Sequence, residues 1–193
     1  YFGGAGLSHM RKYGTKLETF AKIRAKASRH AVNNPLALFR REVTVDEVLS
    51  SPTLMPGVMT RLMACPPTCG AAAAVLVSEA FANRHHLDRT VSIAAQAMTT
   101  DTPITFAAHD MMQLVGYDMT KSAAARVYEA AGIGPDDVDV IELHDCFSTN
   151  ELITYEGLGL CPEGKGGELI DSGAATRTID SMKGRRIGAS PPQ

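Results

Sequence analysis

The residues with the clearest capacity for chemistry are His144 and Cys146, which stand two positions apart in the segment HDCF. They follow the apolar run VDVIEL, which predicts a buried strand. Ser148 and Glu151 come next with the spacing of a capping box, which predicts a helix start after Ser148. Because residues two apart in extended backbone point to the same side, we predict that His144 and Cys146 share one pocket, with Asp145 facing away.

A histidine beside a cysteine supports two kinds of chemistry. The thiol can act as a nucleophile, or as a general acid or base when its pKa lies near the working pH. The imidazole N–H can polarise a carbonyl oxygen. The positive end of the helix predicted after Ser148 points toward Cys146 and favours a thiolate there. The spacing alone leaves a structural alternative open, in which Cys146 packs as a small hydrophobic residue and His144 bonds to the backbone.

The elements that must position this pair alternate between strands and helices. Buried strands are predicted at 70–77, 90–99 and 138–143, where apolar residues run without alternation. Helices are predicted at 14–32, 46–50, 78–85, 121–131 and 149–157. This alternation predicts an α/β layered fold. HDCF then lies at the carboxyl end of the third strand, the edge at which open α/β sheets place their ligand sites.

Particular residues set the ends and faces of these helices. Thr120 can cap the helix at 121–131, and Gly132 stands where a helix C-terminus favours glycine. The helix at 14–32 has a small, apolar face at helical spacing. That face consists of Leu17, Phe20, Ala21, Ala27, Ser28 and Ala31.

Charge is distributed unevenly along the chain. Residues 1–61 hold ten basic and four acidic residues, a net charge of +6, whereas residues 62–193 have a net charge of −8. A basic segment of this kind suggests a polyanionic ligand such as a nucleotide, coenzyme A or nucleic acid. The alternative is a solvated helix face. The candidate phosphate contacts are Lys22, Arg24, Lys26, Arg29, Arg40 and Arg41.

Composition argues against several other classes of protein. The four cysteines come without a secretory pattern, which favours free thiols in a reducing compartment. Cys65 and Cys69 lack a second pair at zinc-finger spacing, so no metal site is predicted. The longest apolar run is too short to span a bilayer. Tyr13, Phe20 and Phe39 are assigned to the core, which disfavours a nucleic-acid module with exposed aromatic residues.

Three blocks resemble the thiolases of the sterol carrier protein X type. They are HDCF with STNELITYEGLGLCPEGKG behind it, YGTKLETFAKIRAKASRHAVNNP, and CPPTCGAAAAVLVSEAF. The resemblance covers about residues 1–172. It implies a thiolase-like layered αβαβα fold, incomplete in this chain, and a coenzyme A-dependent acyltransferase that cleaves or forms 3-oxoacyl-CoA in fatty-acid or sterol side-chain degradation. Coenzyme A is then a substrate, no cofactor is tightly bound, and the intact enzyme is a homodimer.

The same resemblance implies roles for the HDCF residues. Cys146 moves the proton on the acetyl α-carbon, and His144 lines the cavity and helps bind the thioester oxygen. The implied division of the chain is a basic loop region, the end of a first thiolase half and the start of a second half, followed by an atypical tail that is expected to be disordered because it lacks apolar periodicity. Their bounds are 1–69, 70–89, 90–172 and 173–193.

The chain departs from the family at both ends. The family's nucleophilic cysteine lies upstream and its Gly-His-Pro block downstream, so we expect the 193 residues alone to be inactive. Two alternatives remain: an acyl-CoA- or lipid-binding protein without catalysis, and a thiolase-like aldolase subunit, against which Cys146 argues. The expected location is the cytoplasm of a bacterium, or the peroxisome if the source is eukaryotic.

Overall fold

Helices dominate the computed structural model, which describes residues 1–88 and 91–176. The helices are α1 (Phe2–Tyr13), α2 (Leu17–Ala31), α3 (Val45–Ser50), α4 (Glu79–Arg84), α5 (Pro103–Ala107), α6 (Met111–Leu114), α7 (Tyr117–Ala131), α8 (Ser148–Gly157) and α9 (Gly166–Asp171). Strands β1 (Thr53–Met55) and β2 (Met59–Thr60) form an antiparallel hairpin. Single 3-10 turns lie at Arg61–Met63, Pro135–Asp137 and Ala174–Thr176. Within the described ranges, no helix is long and apolar enough to cross a membrane.

Helix α8 lies at the centre of the packing. Eight of its ten residues are buried, and it contacts α1, α2, α7 and α9. A helix of a globular protein usually buries one stripe only, so burial on all sides makes α8 a core element. Its position therefore determines how the helices around it pack.

Two apolar clusters flank α8. One joins α2, α3 and the hairpin to Leu152 of α8, through Phe20, Ile23, Val48 and Val58. The other joins α1, α6 and α7 to Ile153 of α8, and it consists of Ala5, Met112, Tyr117 and Ile153. Since Leu152 and Ile153 are consecutive, they project from different sides of the helix, and each side has its own cluster.

Helix α1 approaches α8 and the hairpin closely at Gly6. A Cβ atom at this position would lie 2.6 Å from Cγ2 of Val58 and 3.0 Å from Oγ1 of Thr149. Carbon atoms do not approach at 2.6 Å without a shift of the neighbour, so a side chain here would push α1 away. Glycine at position 6 is the residue that permits this contact.

Local sequence signals predicted several helices correctly. The helix predicted at 14–32 is α2, and those at 46–50 and 78–85 are α3 and α4. Gly132 ends α7 with a φ of 68°, in the left-handed region that favours glycine. In α2 the predicted face is only partly correct, because Ala27 and Ala31 are half-buried while other residues take the interior positions. The buried residues of α2 are Phe20, Ala21, Ile23, Ala25, Lys26 and Ser28.

Two predicted helix starts are displaced. Helix α7 begins at Tyr117 with Gly116 as its N-cap, so Thr120 lies inside the helix. Ser148 is the first residue of α8 rather than its cap. The carbonyl oxygen of Phe147 accepts the N–H groups of Asn150 and Glu151, which places the first helical bonds one residue earlier than the capping box would.

The three predicted buried strands are wrong for the described residues. The segments 70–77, 91–99 and 138–143 form no ladder, and Val75, Met98 and Val140 are 92%, 92% and 65% exposed. A strand is held by hydrogen bonds to neighbouring strands, and none of the described strands pairs with these segments. Residues 89–90 and 177–193, which include most of the tail predicted to be disordered, lie outside the described ranges.

A candidate thiol site before helix α8

Cys146 lies two residues before the start of α8 and is 7% exposed. Ala64 and Phe147 form an isolated antiparallel bridge, and beside it the N–H of Cys65 donates to the carbonyl oxygen of Cys146 at 2.9 Å. The segment that follows the hairpin contacts Cys146 on one side, and the start of α8 follows it on the other. These contacts fix the backbone position of Cys146.

The Cys146 side of this bridge borders an open cavity of about 260 Å³. Leu38 and Phe39 contribute to an apolar wall, and Arg24 and Asp145 contribute charged groups. Phe39 is 53% exposed, so its assignment to the core is wrong. A cavity with a thiol, a guanidinium group and an apolar wall can hold a ligand that is charged at one end and apolar at the other.

His144 and Asp145 have positions opposite to those predicted. Asp145 lines the cavity together with Cys146, whereas His144 does not line it and is exposed. The backbone bends at Cys146, so the alternation of side chains in an extended strand does not apply. The carbonyl oxygen of His144 accepts a hydrogen bond from Nδ2 of Asn150 at 2.5 Å, which fixes this bend against the first turn of α8.

Burial raises the pKa of the Cys146 thiol above its ordinary value. The neighbouring Cys65 and the charge of Asp145 raise it further, while backbone N–H groups at Cys146 and Phe147 lower it. The sequence predicted a thiolate stabilised by the start of the helix. That prediction is wrong for this structure, because removal from water outweighs the backbone donors, and Cys146 is a protonated thiol at neutral pH.

Asp145 also lines the cavity, and the pKa of its carboxyl group is strongly raised. Burial of the carboxyl group and the proximity of Glu151 raise the pKa of Asp145 from 3.8 to about 7, and Lys26 and Arg24 oppose this change. The residue as a whole is exposed, yet its carboxyl group lies toward Glu151, where the two carboxyl groups can share a proton. Near neutral pH this group therefore exchanges a proton readily, which the sequence did not reveal.

Lys26 belongs to the interior rather than to a ligand-facing surface. Its Nζ atom donates to the Glu151 carboxylate and, at 2.8 Å, to the hydroxyl of Tyr155. The Tyr155 hydroxyl also donates to Glu151, and all three residues are buried. Since its charge is compensated inside the protein, Lys26 is a poor candidate for a phosphate contact.

Of the six basic candidates, all in the described part of the chain, Arg24 alone lines the cavity. Lys22 pairs with Asp171 at 2.8 Å and Glu18 at 3.1 Å, and Arg41 pairs with Glu47 at 2.7 Å. Arg29 and Arg40 are exposed. The structure therefore brings Arg24 and Cys146 to one site and leaves the other basic side chains on the surface or, for Lys26, inside.

A second polar cluster, which the sequence analysis missed, ties α1 to the end of α8. Nδ1 of His9 lies 2.6 Å from Oγ1 of Thr15, and Nε2 lies 3.0 Å from Oε1 of Glu156. The Gly166 N–H donates to the same carboxylate oxygen at 2.9 Å. The side chains of His9 and Glu156 are fully buried, so this cluster holds the fold together. The two glutamates within the helix predicted after Ser148 were the available signal.

No group of three or more His, Cys, Asp or Glu side chains in residues 1–88 and 91–176 has the arrangement of a metal site. Cys65 and Cys69 are both exposed. The cavity is therefore best understood through its thiol and its two charged residues.

The displaced pKa of Asp145 predicts a pH-dependent stability. The unfolded carboxyl group loses its proton near 3.8 and the folded one near 7, so between these values the folded state binds more protons and the free energy of unfolding falls as pH rises. Asp145→Asn should remove this slope. Urea unfolding at a series of pH values measures it, and Asp118→Asn on exposed surface is the control. An unchanged slope in Asp145→Asn would contradict the assignment.

The sequence is similar to a known protein family and to several known proteins. Residues 102–180 match the family described as thiolase C-terminal domain-like. The chain is 54% identical over 176 residues to sterol carrier protein 2 of Bos taurus, which is 91% of this chain and 32% of that protein. It is 36% identical over 187 residues to benzoylsuccinyl-CoA thiolase subunit BbsB of Thauera aromatica, covering 95% and 47% of the two chains. The chain thus spans a third to a half of the length of these relatives.

The described residues also have a known fold. They superimpose on the structure named Ltp2-ChsH2(DUF35) aldolase with a TM-score of 0.74 and 20% identity, over 89% of this chain and 45% of that chain. At this identity the likeness concerns the fold alone. The chain therefore has a thiolase-like fold, is closely similar to sterol carrier protein 2 along most of its own length, and carries a thiolase C-terminal domain-like region at 102–180.

Proposed function

We propose that this chain supplies the proton-transfer thiol and part of the coenzyme A-binding surface of a thiolase that acts on 3-oxoacyl-CoA. The observation that carries the proposal is the Cys146 thiol at the edge of a cavity that Arg24 also lines. The names of its relatives, a sterol carrier protein and a CoA thiolase subunit, support thioester or lipid ligands. Coenzyme A is a substrate here, and no tightly bound cofactor is proposed.

The protonated state of Cys146 suits the cleavage direction. When the bond between the α- and β-carbons of a 3-oxoacyl-CoA breaks, the electron pair remains on the α-carbon of the departing acetyl-CoA as an enolate. The Cys146 thiol then donates its proton to that carbon and becomes a thiolate. In the synthetic direction the thiolate removes the same proton. A raised pKa makes the thiol the resting form, so the donor is ready before the bond breaks.

Other side chains of the cavity can bind the phosphate groups and the acyl chain of an acyl-CoA. The Arg24 guanidinium keeps its charge, because arginine does not lose its proton in proteins, and it can pair with a phosphate. Leu38 and Phe39 provide an apolar wall for an acyl or sterol chain. Asp145 interacts electrostatically with both Arg24 and Cys146, so the protonation state of its carboxyl group changes the attraction of the cavity for an anion.

Three further parts of the proposal follow from the family resemblance. His144 is the oxyanion donor, a role that requires its exposed imidazole to turn into the cavity when substrate binds. The intact enzyme is a homodimer. The peroxisomal alternative is preferred to a bacterial cytoplasm, since the sterol carrier proteins similar to this chain come from animals.

A lipid- or acyl-CoA-binding role without catalysis is the second candidate. It is favoured by exposed apolar side chains at the cavity, since Leu38 is 58% and Phe39 53% exposed. It differs from the first candidate in one respect, because binding alone does not require the Cys146 thiol. The aldolase-subunit alternative has a structural neighbour, but a thiol beside the cavity has no role in it.

Arg24→Gln should weaken coenzyme A binding by about tenfold or more, because a charge-assisted hydrogen bond contributes about 1.5–3 kcal/mol. Isothermal titration with coenzyme A measures the change. Arg29→Gln is the matched control, since Arg29 is an exposed arginine of the same helix that does not line the cavity. Equal affinity in both variants, or an equal loss in both, would contradict a specific contact at Arg24.

Cys146→Ser should slow the exchange of the acetyl-CoA α-protons with deuterated water by about a hundredfold or more, the usual contribution of a positioned acid or base. This exchange requires only proton transfer, so it tests Cys146 without a complete reaction. Mass spectrometry of acetyl-CoA follows it, and Cys161→Ser, which removes another partly buried thiol, is the control. Exchange at the wild-type rate in Cys146→Ser would refute the assignment. Binding without any exchange in the wild-type protein would favour the lipid-binding candidate.

A further inference from the structure

Cys65 and Cys146 are directly opposite each other across the isolated bridge. Ala64 pairs with Phe147 in antiparallel fashion, so the next residues outward, Cys65 and Cys146, form the adjacent pair. The N–H of Cys65 donates to the carbonyl oxygen of Cys146 at 2.9 Å. Both cysteines line the same cavity, which places their side chains on one side of the bridge.

The backbone separation at such a pair suits a disulfide. Cα atoms of directly opposed residues in antiparallel pairs are about 4.5–5.5 Å apart, and disulfides join Cα atoms about 4.4–6.8 Å apart. The two side chains interact electrostatically, since Cys65 contributes to the raised pKa of Cys146. A bond between the two sulfur atoms therefore requires rotation of the two side chains toward each other across the bridge.

We propose that Cys65 and Cys146 form a reversible intramolecular disulfide, with a small disulfide such as oxidised glutathione as the oxidant. Cys65 is exposed and Cys146 is buried, so the external oxidant meets Cys65 first and Cys146 completes the bond. This reaction is different from the proton transfer assigned to Cys146, although it uses the same sulfur atom. Its inhibitory consequence rests on the proposed function, but formation of the disulfide does not.

The reaction proceeds by two thiol–disulfide exchanges. The Cys65 thiolate attacks one sulfur of the small disulfide, whose S–S bond breaks and releases one small thiolate. The Cys146 thiolate then attacks Sγ of Cys65, the mixed disulfide breaks, and the second small thiolate leaves. Each leaving thiolate takes up a proton released by a cysteine. Two cysteine thiols are thus oxidised, and one small disulfide is reduced to two thiols.

The disulfide would disable the candidate site in a definite way. The Cys146 sulfur would have no proton to donate to an enolate, and the new bond would cross the cavity wall between Cys65 and Cys146. A small dithiol would restore both thiols. Proton exchange of acetyl-CoA should therefore be lost on oxidation and return on reduction.

Peptide mapping tests the proposal on the wild-type protein without any substitution. The protein is incubated with oxidised glutathione, free thiols are alkylated, and the non-reduced digest is analysed by mass spectrometry. We expect a linked Cys65–Cys146 peptide that disappears on treatment with dithiothreitol. Cys69→Ser should retain this linked peptide, because Cys69 lies outside the bridge register. Cys65→Ser should lose it and leave Cys146 open to alkylation.

Two results would overturn the proposal. One is a Cys65–Cys69 linkage in the wild-type protein, and the other is Cys65 that carries glutathione while Cys146 stays free. Failure of the proposed function has a different signature. In that case the reduced wild-type protein does not exchange the acetyl-CoA protons, whereas the linked peptide still forms.

Discussion

Two carboxylates inside the central helix are the constraint on which the rest of this structure depends. Glu151 and Glu156 are both buried in α8, and a buried charge without a partner costs several kcal/mol. Lys26 of α2 compensates Glu151, and His9 of α1 contacts Glu156. These partners stand 125 and 147 positions away along the chain. The two N-terminal helices are therefore fixed to α8 by polar contacts as well as by apolar packing.

The position of α8 also determines the geometry of the candidate site. Once α8 is fixed, the residue before it, Phe147, is fixed too, and its ring stacks on Phe2 of α1 with centroids 4.8 Å apart. Cys146 then has one position, opposite Cys65. Glu151 also links the interior to the cavity, because it contacts Lys26 and raises the pKa of Asp145. A change in the buried pair would consequently alter the proton affinity of a group at the cavity.

The sequence predicted those features that depend on near neighbours. Helices α2 and α3 and the glycine at the end of α7 were predicted correctly from local signals, although the predicted buried face of α2 was only partly correct. HDCF was correctly placed before a helix, and Cys146 does line a cavity. In these cases a few adjacent residues contain the information that determines the structure.

Other features depend on distant residues and were mispredicted. The apolar segments at 70–77 and 138–143 suggested strands, but a strand requires neighbouring strands that local sequence cannot specify. Lys26 was taken for a surface residue because Glu151, its partner, stands far along the chain. His144 and Asp145 have the opposite positions to those predicted because the backbone bends at Cys146, which the assumption of extended backbone did not include.

A double-mutant cycle at Lys26 and Glu151 tests the central claim most directly. Lys26→Met leaves a buried carboxylate unpaired, whereas Lys26→Met with Glu151→Gln leaves a neutral acceptor for the Tyr155 hydroxyl. Urea unfolding should show a loss of about 3–5 kcal/mol for Lys26→Met and a smaller loss for the double variant than the two single losses together. Additive losses, or a loss below about 0.5 kcal/mol for Lys26→Met, would show that the buried pair does not hold α8 in place.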